Sequence, residues 1–331
     1  MKDKVIIGTR GSRLALWQAE WVKSQLLKIN PGITIELKKI KTTGDKILDV
    51  PLAEVGGKGL FVKEIEEALL NCEVDLAVHS MKDVPTEFPD GLHLPVICER
   101  EDPRDAFISQ VRGPRPGGSP VDIKFRIQSI KNLPDNACIG TSSLRRSCQL
   151  LHIFPGLKIA QLRGNLDTRI RKLDEGQFDA IILAVAGIKR LGWEKRITGI
   201  IGPEIILPAI GQGAVGIECR IDDEFTNRLI TPVNHAETSI CVKAERALLR
   251  RLEGGCQVPI AAHAKFMDET AAGSSGASLV IDGLVGSISG DRIIKGRSGG
   301  DPEDAGMLGI QLAEDLLSKG ADKILAEVYK R

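Results

Sequence analysis

The chain has 331 residues, 42% of them hydrophobic, which exceeds what one hydrophobic core usually organises and implies two or three domains. With 45 Lys and Arg against 44 Asp and Glu and 4% aromatic residues, it offers no global field for nucleic acid or acidic membranes and few platforms for stacking bases. Seven cysteines without a Cys-x-x-Cys pair, five scattered histidines, and no signal-peptide core or membrane-length apolar run point to a reduced, cytoplasmic protein without a structural metal and give no reason to expect more than a monomer.

In chain order, Val5-Ile6-Ile7 reads as a buried strand, and Gly8-Thr9-Arg10-Gly11-Ser12 as the turn that feeds a helix from Leu14 to Ile29. Its apolar residues Leu14, Trp17, Trp21, Val22, Leu26 and Ile29 recur near helical spacing. Pro31-Gly32 ends it, Ile33 to Leu37 is the next strand, and the βαβ unit implies a parallel sheet. The same grammar returns later as Ala137-Cys138-Ile139, Gly140-Thr141-Ser142-Ser143, a helix from Leu144 to Ile153, Pro155-Gly156 and Leu157 to Ala160. A further echo joins Val74 to Val78 with Phe178 to Leu183. Echoes in the same order predict two similarly built α/β domains that face each other across a cleft.

Proline and glycine place chain crossings near 100–103 and 208–213. The expected division is 1–99 with 214–232 as the first domain, 104–207 as the second and 234–331 as the third. In the last, a helix from Glu237 to Leu252 is followed by strands near Pro259–Phe266, Ser278–Val285 and Arg292–Gly296 and by a helix starting near Pro302 or Glu303, an α+β pattern. Lys41 to Gly59 reads as a glycine-bearing lid; Arg112 to Arg126 and Ala271 to Ala277 read as surface excursions.

The two glycine turns give helix starts whose free amides and dipole attract carboxylates or phosphates, with Ser12, Ser142 and Ser143 as hydroxyl donors or as ordinary caps. Arg10 and Arg13 flank the first start. Arg145 and Arg146 occupy the first turn of the second, where the dipole disfavours cations, so they call for an anion. Arg163, Arg169 and Arg190 follow at strand ends of an α/β fold, where ligands gather. A single arginine is usually solvated or salt-bridged, but this set fits a carboxylate-binding cleft. Ser80, Lys82 and Asp83 stand together after a strand; an ionised Asp among cations suits a reaction that develops positive charge. Finally, Gly254-Gly255 present the thiol of Cys256 in a turn between a helix and a strand.

Taken together, the chain resembles the porphobilinogen deaminase family. The resemblance rests on Gly8-Thr9-Arg10 with Leu14-Ala15-Leu16-Trp17-Gln18, Gly57-Lys58-Gly59-Leu60-Phe61, His79 to Pro85 and Asp102 to Phe107. It continues through Gly140 to Arg146, Leu162-Arg163-Gly164-Asn165, Gly211-Gln212-Gly213-Ala214 and Leu252 to Pro259. It implies two α/β domains built like periplasmic binding proteins with the active cleft between them, plus a small α+β C-terminal domain. It also implies a dipyrromethane cofactor bound through a thioether at Cys256, on which four porphobilinogen molecules are joined head to tail with loss of ammonia before hydrolysis to hydroxymethylbilane.

The resemblance further implies that Arg10, Arg145, Arg146, Arg163, Arg169 and Arg190 pair with acetate and propionate groups; Arg13 joins them by charge and position alone. Lys82, Ser80, Ser142, Ser143 and Gln18, with Ser12, would hold carboxylates of cofactor or substrate, and Phe61 would line the cleft beside the lid. Asp83 becomes the catalytic carboxylate, accepting hydrogen bonds from pyrrole N–H groups, stabilising the cation and moving the proton. Two other readings compete. A non-enzymatic periplasmic-binding-type module explains the repeat and arginines but gives Asp83 and Cys256 no work. A cysteine acyl-transferase needs a base, and His263 has no evident reason to pair with Cys256.

Overall fold

The structure is a computed structural model that describes residues 3–46, 62–110, 129–254, 258–267 and 278–329, with the side chains at 45 and 46 excepted. Strand β1 spans Lys4–Arg10, with Val5 and Ile7 fully buried. Helix α1, Arg13–Ile29, starts at Ser12, whose hydroxyl accepts from the Ala15 amide, and stops at Asn30 before Pro31-Gly32. Its buried stripe Ala19, Val22 and Leu26 packs in the same core as β1. β2, Thr34–Ile40, then pairs parallel with β1 along its full length.

Helix α2, Lys63–Leu70, β3, Leu76–Ser80, and β4, Leu92–Ile97, follow. β3 lies two residues later than the sequence suggests: the Val74 amide is bonded back to Ala68 O of α2, and the Asp75 carboxylate accepts from the Ile6 amide at 2.7 Å. The chain crosses to a second sheet through β5, Asp105–Ser109, β6, Cys138–Gly140, helix α3, Leu144–Ile153, and β7, Lys158–Ala160. Helix α4, Leu166–Asp174, β8, Ala180–Ala184, helix α5, Val185–Arg190, and β9, Gly199–Ile201, complete it. The chain then crosses back: β10, Val215–Arg220, enters the first sheet between β3 and β4.

The repeat is exact in topology. The sheets are ordered β2-β1-β3-β10-β4 and β7-β6-β8-β5-β9. In each, the first three strands are parallel and the fourth is an antiparallel strand that has just crossed over. The registers coincide: Ile7 and Gly8 face Leu76 and Ala77, while Ile139 and Gly140 face Ala180 and Ile181. A Cβ on Gly140 would come within 2.9 Å of both Ile181 and Phe178, so the glycine permits the neighbouring strand's close approach.

After helix α6, Glu224–Ile230, helix α7 runs Ala236–Arg251 and leads to an antiparallel sheet, β11, Ile260–Met267, β12, Ser278–Gly286, and β13, Ile293–Gly300. Helices α8, Ala305–Leu316, and α9, Asp322–Tyr329, close this small C-terminal unit. Leu248, Ile260, Ile281, Leu312 and Leu316 share its core, each such side chain stabilising by about 1.5–3 kcal/mol on burial. The helix predicted near Pro302 begins with a 3₁₀ turn at Pro302–Asp304, where the Asp301 carboxylate accepts from the Glu303 amide. No helix among the described residues is long and apolar enough to cross a membrane.

The two crossings lie side by side. The Glu101 amide donates to Gly213 O at 3.2 Å, and Arg100 Nε donates to Gln212 O at 2.8 Å. Gly213 has φ +93, and a Cβ there would sit 2.2 Å from Glu101 O, so both conformation and space require glycine. Glu245, on α7 and fully buried, joins the third unit to this crossing. Its carboxylate takes Arg100 at 2.7 and 3.0 Å and the amides of Gly211 and Ala264 at 2.7 and 2.8 Å.

Candidate functional site

β3 ends in Ser80 and turns through a 3₁₀ segment, Met81–Asp83, which places three polar side chains on one short turn. Fully buried Met81 anchors the turn, its amide bonded to Ala214 O. Arg246 of α7 holds the far side, donating to Val84 O at 3.2 Å and Pro85 O at 2.6 Å with its guanidinium over Phe88.

Two cavities meet at this turn, both lined by Leu14 and Ser80. One, of about 430 Å³ and partly open to solvent, is lined by Arg10, Ser12, Gln18, Val62, His79 and Asp83 among others. The other, of about 470 Å³, is lined by Lys82, Arg146, Arg169, Arg190 and Gln212. It draws residues from both five-stranded sheets and the crossing between them. Asp83 has no hydrogen bond or ion pair among the described residues, although its charge reaches Lys82 and Arg169. A carboxylate thus stands at the junction of two basin walls, one carrying Arg10 and the other a cluster of cations.

Burial lowers the proton affinity of Lys82, with Asp83 opposing and Arg146 and Arg169 adding to the effect. Burial likewise pulls Arg169 down to about 10, assisted by Arg146 and Arg163 and opposed by Asp83. Arg190 is lowered chiefly by burial; it donates to Gly213 O at 2.6 Å and stacks 5.7 Å from the Trp17 ring. Arg169 Nε donates to Gly164 O at 2.8 Å. A cation whose charged form is penalised by burial gains from an anionic guest.

The structure sorts the sequence-predicted residues. Arg10, Ser12, Gln18, Ser80, Lys82, Asp83, Arg146, Arg169 and Arg190 line the two cavities. Gln18 and Ser80 exchange hydrogen bonds at 2.9 and 3.2 Å, which orients both, and Ser12 also caps α1. Ser142 does not line either cavity; its hydroxyl donates to Leu162 O and accepts from the Leu162 amide. Ser143 precedes α3 without a side-chain capping bond, and Arg163 stands half-buried near Arg169. Arg13 spans the two sheets' units instead, paired with Asp167 at 3.3 Å and lying over Trp193. Phe61, Cys256, most of the expected lid, Arg112, Arg115, Arg126 and the Ala271 to Ala277 loop lie outside the described residues.

The anion demanded by Arg145 and Arg146 is found within the chain. Asp105, at the first position of β5 and fully buried, takes Arg145 at 2.9 Å and Arg146 at 2.7 Å, and accepts from Gln212 Nε2 at 2.9 Å. Burial alone would raise Asp105; the two guanidinium groups override it and hold the carboxyl well below the usual range. Arg145 also donates to Leu207 O and is closed off, whereas Arg146 keeps a face on the second cavity. Asp105 escaped the sequence reading although a lone acid opening the run Ala106-Phe107-Ile108 was the available signal. His79, which lines the first cavity, and the buried Glu218 and Glu66 that interact with it were missed as well.

Four of the remaining thiols are poor nucleophile candidates. Burial pushes Cys98, Cys148, Cys219 and Cys241 up to about 12. His263, weighed as a base for Cys256, sits in β11 opposite Asp282, and burial lowers its proton affinity.

Comparison with known sequences places these features in context. Residues 5–228 match the sequence model of the porphobilinogen deaminase dipyrromethane cofactor binding domain, and residues 239–318 match the porphobilinogen deaminase C-terminal domain. The chain is 56% identical over 329 residues to porphobilinogen deaminase of Geobacter sulfurreducens, covering 99% of this chain and 96% of that relative. Among solved structures, the methionine binding protein MetQ is similar at 15% identity and TM-score 0.43, covering 70% of this chain and 90% of its own. The aliphatic sulphonate binding protein SsuA of Escherichia coli gives 15% identity and TM-score 0.40 over 76% and 71%.

Proposed function

The chain belongs to the porphobilinogen deaminase family, and from that premise we propose how its own residues carry out the family's transferase reaction. The reaction joins four porphobilinogen molecules head to tail on a dipyrromethane primer, releases ammonia at each step and ends in hydrolysis to hydroxymethylbilane. The observation that carries our assignment is Asp83, without a hydrogen bond or ion pair among the described residues, at the meeting of an Arg10-bearing cavity with one walled by Lys82, Arg146, Arg169 and Arg190.

The second cavity fits the cofactor's chemistry. A dipyrromethane presents several carboxylates, and this wall supplies cations whose charged form is penalised by burial. We assign Lys82, Arg146, Arg169, Arg190 and Ser80 to hold it, with Ser142, Arg145 and Arg163 supporting the wall from behind or beside it. Cys256, in the segment that follows α7, is assigned as the covalent attachment point. When bound, the group supplies a nucleophilic pyrrole carbon on a tether, so that each addition is intramolecular.

On the first-cavity side, Arg10 and Ser12 take the carboxylates of incoming porphobilinogen, while Gln18, fixed by Ser80, adds a donor. Phe61 and Ser143 complete the assignment. Asp83 accepts the pyrrole N–H as positive charge develops on that nitrogen, which is where fixed negative charge lowers the barrier. It then receives the proton displaced from the attacked carbon. Arg13, which pairs with Asp167, is assigned to substrate carboxylates by charge and position. We further assign one domain to each five-stranded sheet with its helices, 1–99 with 214–232 and 104–207, and a third to 234–331, in a cytoplasmic monomer that binds no nucleic acid.

Intact-protein mass tests the attachment: the mass should exceed that of the sequence by a dipyrromethane adduct, and Cys256→Ser should abolish the excess. Asp83→Asn should keep the adduct yet lose most turnover, since it removes charge while nearly preserving shape. An unmodified thiol in active protein, or full turnover in Asp83→Asn, would refute the respective assignment.

A further inference from the structure

At the wall of the first cavity lie three buried ionisable side chains that the assigned chemistry does not use. His79 of β3 and Glu218 of β10 are 6% and 1% exposed, and Glu66 of α2 is 8% exposed. His79 Nε2 and Glu218 Oε2 are 2.8 Å apart, a charge contact whose angle falls short of a hydrogen bond. Oε1 of Glu66 and Oε1 of Glu218 are each buried with no hydrogen-bond partner among the described residues. The cluster adjoins the site directly: His79 lines the first cavity, and so does Val62, about one helical turn before Glu66.

Among the described residues, the charges do not balance if both carboxylates ionise. One imidazole can neutralise at most one of them, and Glu218 is the one in contact with it. Glu66 is faced by His79 from β3, by Glu218 from β10 and by Glu67 from its own helix. β1 and β4 meet α2 through the apolar Ile6 and Leu92, while His93 of β4 is engaged by Asn227 Oδ1 at 2.8 Å. Buried carboxylates without a cation retain their proton. Burial and the neighbouring Glu218 push Glu66 up to about 7, against a partial opposing effect of His79.

We propose that Glu66 is a positioning residue for the family reaction: held protonated beside the His79–Glu218 pair, it keeps the wall behind Arg10 and Asp83 neutral, so that the cavity admits a polycarboxylate substrate. Loss of its proton places an uncompensated negative charge one layer behind that cavity. Incoming carboxylates are then repelled, and KM for porphobilinogen rises with little change in kcat. The inference rests on the assignment of the first cavity to porphobilinogen.

The test is the pH dependence of porphobilinogen consumption by purified, adduct-bearing protein between pH 6 and 9, with infrared spectroscopy of its protonated carboxyl groups in parallel. Wild type should show KM rising roughly three- to tenfold as pH passes through the neutral range, the effect of one added charge at close range. Glu66→Gln should hold the low-pH KM throughout, with kcat within about twofold. A protonated-carboxyl band should fade between pH 6 and 8 in wild type and be missing in Glu66→Gln. Because Glu66 binds its proton more tightly folded than unfolded, wild-type stability should fall as pH rises from 4.5 to about 7, and Glu66→Gln should lose that slope.

A wild-type KM flat across the range, or a Glu66→Gln profile that superimposes on wild type, overturns the proposal. If Glu66→Gln does not fold, the wild-type band decides: fading supports the proposal, and its absence in this range overturns it. Failure of the underlying function has another signature, wild-type protein with no adduct and no porphobilinogen consumption at any pH, while the carboxyl band is still measurable.

Discussion

Replacing Asp105 by Asn keeps the shape of the side chain and removes its charge. In the wild type its two oxygens face Arg145 at 2.9 Å, Arg146 at 2.7 Å and Gln212 at 2.9 Å, and all four side chains are buried. The variant leaves two buried guanidinium groups sharing one neutral carbonyl oxygen and facing a new N–H donor. Removing one partner of a buried pair typically costs about 3–5 kcal/mol, a change of roughly 10²–10⁴ in the folding constant. We therefore expect Asp105→Asn to lower the thermal and urea midpoints strongly at pH 7. The pH dependence gives a second readout. Asp105 has a folded proton affinity depressed below its unfolded value of 3.8, so its stabilisation is present above that value and lost as pH falls below it. The gap between wild type and Asp105→Asn should accordingly narrow in acid. A loss under about 1 kcal/mol at pH 7, or a gap that widens in acid, would refute the reasoning that this carboxylate neutralises both arginines.

Two further substitutions probe the frame of the cleft. Gly213→Ala forces a Cβ to within 2.2 Å of Glu101 O at φ +93; overpacking and backbone strain should together cost about 2–5 kcal/mol, and unchanged urea unfolding would contradict the close apposition of the two crossings. Arg13→Ala breaks a solvent-exposed pair with Asp167, its side chains 60% and 43% exposed, so stability should change by less than about 1 kcal/mol while the adduct remains; a large loss in thermal midpoint would mean that the contact holds the two α/β units together.

The periodic parts of the fold were legible because two copies repeat one pattern. Ile7-Gly8 and Ile139-Gly140 occupy equivalent registers, and a Cβ on either glycine would crowd a neighbouring side chain, at 3.1 Å in the first copy and 2.9 Å in the second. The gathering of cations was legible from their number, but not their positions: Arg169 and Arg190, expected at strand ends, lie within α4 and α5. What the sequence could not reveal was which arginines face inward to the protein and which face a ligand. Arg145 and Arg146 are adjacent and chemically identical, yet only the latter lines a cavity. That difference depends on Asp105, forty residues earlier, whose partners exist only once β5 inserts beside β8. The His79–Glu218–Glu66 cluster was hidden for the same reason: its members come from two strands and a helix brought together by a late returning strand.

Glu245 and Arg246 are consecutive on α7, yet they grip different things: the first holds Arg100 and the Gly211 amide, the second the carbonyls of Val84 and Pro85. An α-helix turns about 100° per residue, so these two grips fix the helix about its axis as two pins fix a shaft. One residue inserted upstream of Glu245 would swing both side chains away from their partners together. The helix thus acts as an indexing element, and the phase at which its C-terminal end hands the chain on toward Cys256 is set by the same two side chains that hold the crossing and the Asp83 turn.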